Sequence, residues 1–104
     1  GKARAKGFTL SVRFPEDHSR MVSVQLTVEA GPKATLDLGD NVWLCLHPTF
    51  NPDWVRVYFQ GRTATLTVRA WGGFTVGAWL PSQGVELELD LAKVEGAPSI
   101  IRTR

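Results

Sequence analysis

The chain predicts an all-β, immunoglobulin-like β-sandwich of about seven to eight antiparallel strands, and three observations carry that prediction. Apolar and polar residues alternate with period two almost from end to end. Turn-forming residues recur every ~8 to 12 positions, and no stretch carries an apolar stripe at helical spacing. A chain of 104 residues, 43% of them hydrophobic, is enough for one core. A single domain is therefore expected over residues 7–95, between a basic N-terminal tail at 1–6 and a C-terminal tail at 96–104.

Taken in order, Phe8, Leu10, Val12 and Phe14 alternate with Thr9, Ser11 and Arg13, which describes a half-buried strand. Val22, Val24, Leu26 and Val28 alternate with Ser23, Gln25 and Thr27 in a second strand. A short strand is expected at residues 35–38. Residues 42–46 are apolar on both sides, with Trp43 and Cys45 opposite Val42, Leu44 and Leu46, as expected of a central strand. Val55, Val57 and Phe59 share one face of the next segment, and Ala64, Leu66 and Val68 oppose Thr63, Thr65, Thr67 and Arg69 in the one after. Phe74, Val76, Ala78 and Leu80 then share a face, and Val85, Leu87, Leu89 and Leu91 oppose Glu86, Glu88 and Asp90. Between these runs fall Pro15-Glu16-Asp17, Gly31-Pro32, Gly39-Asp40-Asn41, Asn51-Pro52-Asp53, Gln60-Gly61, Gly72-Gly73 and Pro81-Ser82-Gln83-Gly84, all turn chemistry. Trp43, Trp54, Tyr58, Phe59 and Trp79 are expected to pack in the core or against its surface.

Composition excludes several functions. The formal charge of +2 falls to −3 once Lys2, Arg4, Lys6, Arg102 and Arg104 in the two ends are set aside, so the body lacks the basic face of a nucleic-acid binder. No specific nucleic acid is expected as a partner. No apolar run approaches the ~20 residues of a membrane-spanning helix, nothing resembles a signal peptide, and membrane insertion is not expected. The single cysteine, Cys45, can form no intramolecular disulfide and suits a reducing compartment, which makes a cytoplasmic location the expectation. Gly1 at the start suggests a trimmed expression product or a domain cut from a longer polypeptide. The only histidines are His18, in a turn, and His47, and the sequence has neither a metal-spaced cluster nor a Gly-rich phosphate loop. No enzyme, cofactor or metal is expected. Cys45 reads as a small core residue, and Glu86, Glu88 and Asp90 as the solvated face of a strand.

Two loops stand apart. Leu46-His47-Pro48-Thr49-Phe50-Asn51-Pro52 follows the central strand, and Ala70-Trp71-Gly72-Gly73-Phe74 joins two strongly patterned strands. One outgoing and one returning strand separate them, so both loops are expected at the same end of the sandwich. Phe50, Trp71 and Phe74 can then line one cleft beside the Thr49 hydroxyl and a Gly-rich turn. The residues leave another role open: Trp71 and Phe74 plug the end of the sandwich, His47 satisfies a loop carbonyl, and Pro48 and Pro52 stiffen the turn.

The pairing of Leu-His-Pro-Thr-Phe with Trp-Gly-Gly-Phe-Thr-Val-Gly-Ala about twenty residues later resembles the YEATS domain, specifically its prokaryotic branch, over residues 42–91. The resemblance implies the YEATS form of the immunoglobulin-like sandwich and a non-enzymatic reader of acylated lysine, of acetyl or crotonyl type. It implies that His47 orients the Thr49 hydroxyl, that Thr49 bonds the acyl amide, and that Phe50 and Trp71 sandwich the flat acyl group. The Trp71 backbone N–H would donate to the acyl carbonyl, Gly72 and Gly73 would form the turn, and Phe74 would close a wall. Thr49 replaces the Ser common in eukaryotic readers, Trp71 replaces their Tyr, and Ala70 stands where they often have Gly. The turn at Glu16-Asp17-His18 offers no counterpart to their further N-terminal aromatic.

Physical chemistry points the same way. Two aromatic planes favour a flat, polarisable amide, and a hydroxyl with a backbone N–H satisfies its polar atoms. A free lysine ammonium would be dehydrated there with no carboxylate in the two motifs to pair it, which also disfavours a methyl-lysine cage. The alternative expectation is a protein–protein interaction or assembly domain of a larger bacterial signalling or defence protein, joined to effector or signalling modules, with no acyl-lysine binding.

Overall fold

A computed structural model of the chain describes residues 3–14, 22–47, 53–70, 72–94, 97 and 101. Among them run eight strands: β1 (Arg4–Ala5), β2 (Phe8–Arg13), β3 (Val22–Ala30), β4 (Asn41–Cys45), β5 (Trp54–Tyr58), β6 (Thr63–Ala70), β7 (Thr75–Leu80) and β8 (Val85–Asp90). They form two four-stranded antiparallel sheets in the orders β1-β2-β3-β6 and β5-β4-β7-β8, the Greek-key arrangement of an immunoglobulin-like sandwich. A single 3₁₀ turn, Leu91–Lys93, follows β8, capped by the Asp90 carboxylate accepting from the Ala92 N–H at 3.0 Å.

The alternation read in the sequence is the alternation of burial. Phe8 and Leu10 of β2, Val24, Leu26 and Val28 of β3, Val42 and Leu44 of β4, Val76, Ala78 and Leu80 of β7, and Val85 and Leu87 of β8 meet between the sheets. Their partners at odd register face outward. The β4 strand lies inside its sheet, between β5 and β7, as its apolar sequence predicts. Only one of its faces is fully buried, however, since Trp43 and Cys45 on the other are half-buried.

Arg62, in the turn before β6, ties the sheets' connecting segments together. Its Nε donates to the Ala30 carbonyl at 3.1 Å, and its Nη2 donates to the carbonyls of Gly31 and Ala34. Charge-assisted bonds of this kind fasten the end of β3 and the irregular segment that follows it.

Three stretches differ from the sequence reading. Residues 35–38 form no strand, because their alternation has no partner: Leu38 is fully exposed, and the segment is held by the Asp37 N–H donating to the Asp40 carboxylate at 2.8 Å. The eighth strand instead comes from residues assigned to the basic tail. Arg4 and Ala5 pair with Thr9 and Phe8 across a tight turn in which Lys6 and Gly7 both take positive φ, 50° and 87°. At the other end, Ala97 and Ile101 are buried in the core, within the stretch read as a C-terminal tail.

Candidate functional site

The ladders bring the two motif-bearing loops to one end of the sandwich. On β4 and β7, Cys45 stands opposite Gly77, so the strand leaving β4 runs alongside the start of β7. The ladder of β4 and β5 continues one rung past Cys45 and Trp54: the Leu46 N–H donates to the Asp53 carbonyl at 2.6 Å and closes the neck of the first loop. The second loop begins at Ala70, which is buried and paired with Val22, and ends at Thr75, paired with Asp90.

His47 and Phe74, one from each loop, meet there edge to face, with ring centroids 6.2 Å apart and planes inclined at 61°. Such geometry sets the positive edge of one ring against the negative face of the other. His47 is exposed. Phe74 is only 4% exposed and belongs to the core, and its carbonyl accepts from the Leu91 N–H at 3.0 Å. The side chain expected to wall a cleft thus has most of its surface in the core, because it is the first inward-facing member of the β7 alternation. Gly72 and Gly73 are half-buried in the same turn. Thr49, Phe50 and Trp71 lie outside the described residues, as does His18.

Cys45 lies at the foot of this end, half-buried, with its Sγ donating to the Leu46 carbonyl at 3.9 Å. Burial pushes its thiol above the ordinary cysteine value, and the Asp53 carboxylate pushes it further the same way. Cys45 is therefore a protonated, weakly reactive thiol at neutral pH. The unfolded chain gives up this proton first as pH rises, so stability present at neutral pH declines once pH climbs through the ordinary thiol range. Alkylation by iodoacetamide is expected to reach its half-maximal rate at higher pH in the folded than in the urea-unfolded protein, and a lower midpoint in the folded protein would contradict this environment.

Among the described residues no group of three or more histidine, cysteine or carboxylate side chains is placed to hold a metal ion, and no helix is long and apolar enough to cross a membrane. What sequence reasoning missed lies on the outer face of the β5-β4-β7-β8 sheet. Of the residues expected in the core or against its surface, Trp54, Tyr58 and Trp79 are 47%, 50% and 38% exposed there. The alternation of β5 groups Trp54, Arg56 and Tyr58 on one face and Val55 and Val57 on the other, without saying which face is buried.

The family model of the prokaryotic YEATS domain matches residues 22–92. No curated protein and no solved structure matches the chain. The matched stretch runs from the start of β3 into the 3₁₀ turn, takes in both loops with their motifs in order, and makes up more than half of the chain. The chain belongs to the prokaryotic YEATS domain family.

Proposed function

We propose that this domain is a non-enzymatic reader that holds an acylated lysine of a partner protein between its two motif-bearing loops. The observation that carries the reading is the edge contact of His47 and Phe74 at 6.2 Å, which joins the His-Pro-Thr-Phe loop to the Trp-Gly-Gly-Phe loop at one end of the sandwich. Membership of the family supports this assignment of roles: Thr49, oriented by His47, bonds the acyl amide, Phe50 and Trp71 stack on the acyl plane, and Gly72 and Gly73 shape the turn that offers the Trp71 N–H. Phe74, nearly buried, supports the floor of the cleft from beneath.

The mechanism is selection by desolvation. A neutral acyl amide loses little on entering an aromatic slot where its polar atoms are bonded, whereas a free ammonium loses its hydration with no carboxylate in the motifs to replace it. Each buried methylene adds ~0.8 kcal/mol, so a crotonyl group is expected to bind more tightly than acetyl by about 1 to 2 kcal/mol, roughly five- to thirty-fold.

The test is a chemical-shift titration of labelled protein with one peptide carrying its lysine free, acetylated or crotonylated. Saturable shifts at Thr49, Phe50, Trp71 and Phe74, absent for the free amine and lost in Trp71→Ala, are the expected result. No shift at millimolar acyl peptide would leave the alternative, an interaction or assembly domain of a larger signalling or defence protein whose cleft is idle.

A further inference from the structure

The two outer faces of the sandwich are chemically unlike. On the β1-β2-β3-β6 sheet the outward residues include Ser11, Arg13, Thr27, Glu29, Thr65 and Arg69, a solvated surface with Thr27 and Thr65 in hydroxyl contact at 3.4 Å. The corresponding face of the other sheet carries three tryptophans and a tyrosine. Register arranges them in rows: Arg56, Trp43, Trp79 and Glu86 stand side by side across β5, β4, β7 and β8, and Trp54, Cys45, Gly77 and Glu88 form the next row. Side chains directly opposite across a ladder share a face and lie within contact of one another. Exposed aromatic area gathered in this way marks a binding surface.

Two details say what the surface takes. Gly77 sits in the middle of an interior strand, where glycine is disfavoured. It has no positive φ to demand it, and a Cβ there would meet only the Cys45 Cβ, at 3.4 Å. Neither conformation nor crowding accounts for it, and a glycine so placed leaves a hollow where another chain can approach the sheet closely. Secondly, the face already holds a cation on its rings: the Arg56 guanidinium lies 5.3 Å from the centroids of both Trp43 and Tyr58. Trp79, next in the same row, has no arginine or lysine opposite it; its cross-strand neighbours are Trp43 and Glu86. An indole with a carboxylate at its flank is a site for a guanidinium or ammonium, held by ring and charge together. The carboxylate beside Trp79 is Glu86, whereas Glu88 and Asp90 further along β8 line one cavity with Lys93, and the Arg56 guanidinium is taken up on the Trp43 and Tyr58 rings, one strand over from Trp79.

We propose that the outer face of the β5-β4-β7-β8 sheet is a second binding surface, separate from the loop cleft, for an arginine-bearing segment of a partner protein. Charge complementarity chooses that occupant: the segment lays one guanidinium over Trp79 against Glu86 and packs a neighbouring side chain into the hollow at Gly77.

The probe is an unmodified arginine–serine repeat peptide, followed through the indole N–H signals of Trp43, Trp54 and Trp79 and the amides of Gly77 and Glu86. Saturable shifts at these groups are expected, with none for a glutamate–serine peptide. Glu86→Lys, at an exposed position, is expected to weaken binding about fivefold or more. Gly77→Val fills the hollow and is expected to do the same, whereas Trp71→Ala leaves it unchanged. The proposal is overturned by an absence of shifts at millimolar peptide, by equal shifts with the glutamate peptide, or by shifts confined to the loop residues. It is equally overturned if the same signals move with protein concentration alone, which would assign the face to a second copy, or with an oligonucleotide or oligosaccharide but not the arginine peptide. Acyl-lysine binding by the loops can succeed or fail independently, since its probe and its reporting residues are different.

Discussion

Replacing Phe74 by alanine is expected to lower folding stability by about 3–5 kcal/mol, the cost of deleting a buried aromatic side chain and leaving a cavity. The ring is 4% exposed, stands at the inward end of β7, and is braced from outside by the His47 ring at 6.2 Å. Urea or thermal denaturation checks this, and at about 4–8 °C per kcal/mol for a domain of this size the melting temperature should fall by more than ~12 °C. A loss below about 1 kcal/mol would show that the ring is not packed as described. The same burial decides which variants test the reader function. Phe74→Ala removes a core side chain beside both loops, so loss of ligand binding in it would say nothing about the proposed cleft. Trp71→Ala is the variant to use, with stability measured alongside.

Truncation after Val94 is expected to cost at least as much as Ile101→Ala, about 2–5 kcal/mol. Ile101 is completely buried among the residues of both sheets, and Ala97 is buried with it. Against a typical total of about 5–15 kcal/mol, removal of both residues brings the domain close to its unfolding threshold at 37 °C. Equilibrium unfolding of the truncated chain beside Ile101→Ala separates the side chain from the rest of the segment. Unchanged stability after truncation would mean that the segment adds nothing to the core. The expectation matters in practice, because a domain trimmed to residues 7–95 by its strand pattern would lose both buried residues, along with the β1 strand.

Most of the sandwich was legible because a half-buried strand has to alternate. In β2, β6 and β8 the apolar residues at every second position, and in β3 Val24, Leu26 and Val28, are those buried in the core or half-buried against it, and the turns between strands carry residues suited to φ values other chemistry tolerates poorly, as at Gly61 and Gly84, with φ of 64° and 62°. The β1 strand was not legible: two residues cannot display a period, and its pairing depends on the positive-φ turn at Lys6 and Gly7. Residues 35–38 show the converse. Leu36 and Leu38 satisfy the alternation, but a strand needs a partner as well as a pattern, and the chain there meets none. Ile101 escaped notice because it stands in a single adjacent pair with Ile100, and two neighbouring apolar residues display no period.

Of the candidate site, the sequence by itself determined which residue types occur in the two loops and, through the count of strands between them, that the loops share one end of the sandwich. The meeting of His47 with Phe74 bears out that placement. Tertiary structure alone decided that Phe74 turns into the core and that Trp54, Arg56 and Tyr58 turn out of it. The reason is physical: period two tells which residues of a strand share a face, but in β5 both faces carry large side chains. Which of them is buried is settled by the opposite sheet, where the space between the layers is filled by Val55, Val57 and Phe59, leaving the tryptophan, the arginine and the tyrosine to form a surface of their own.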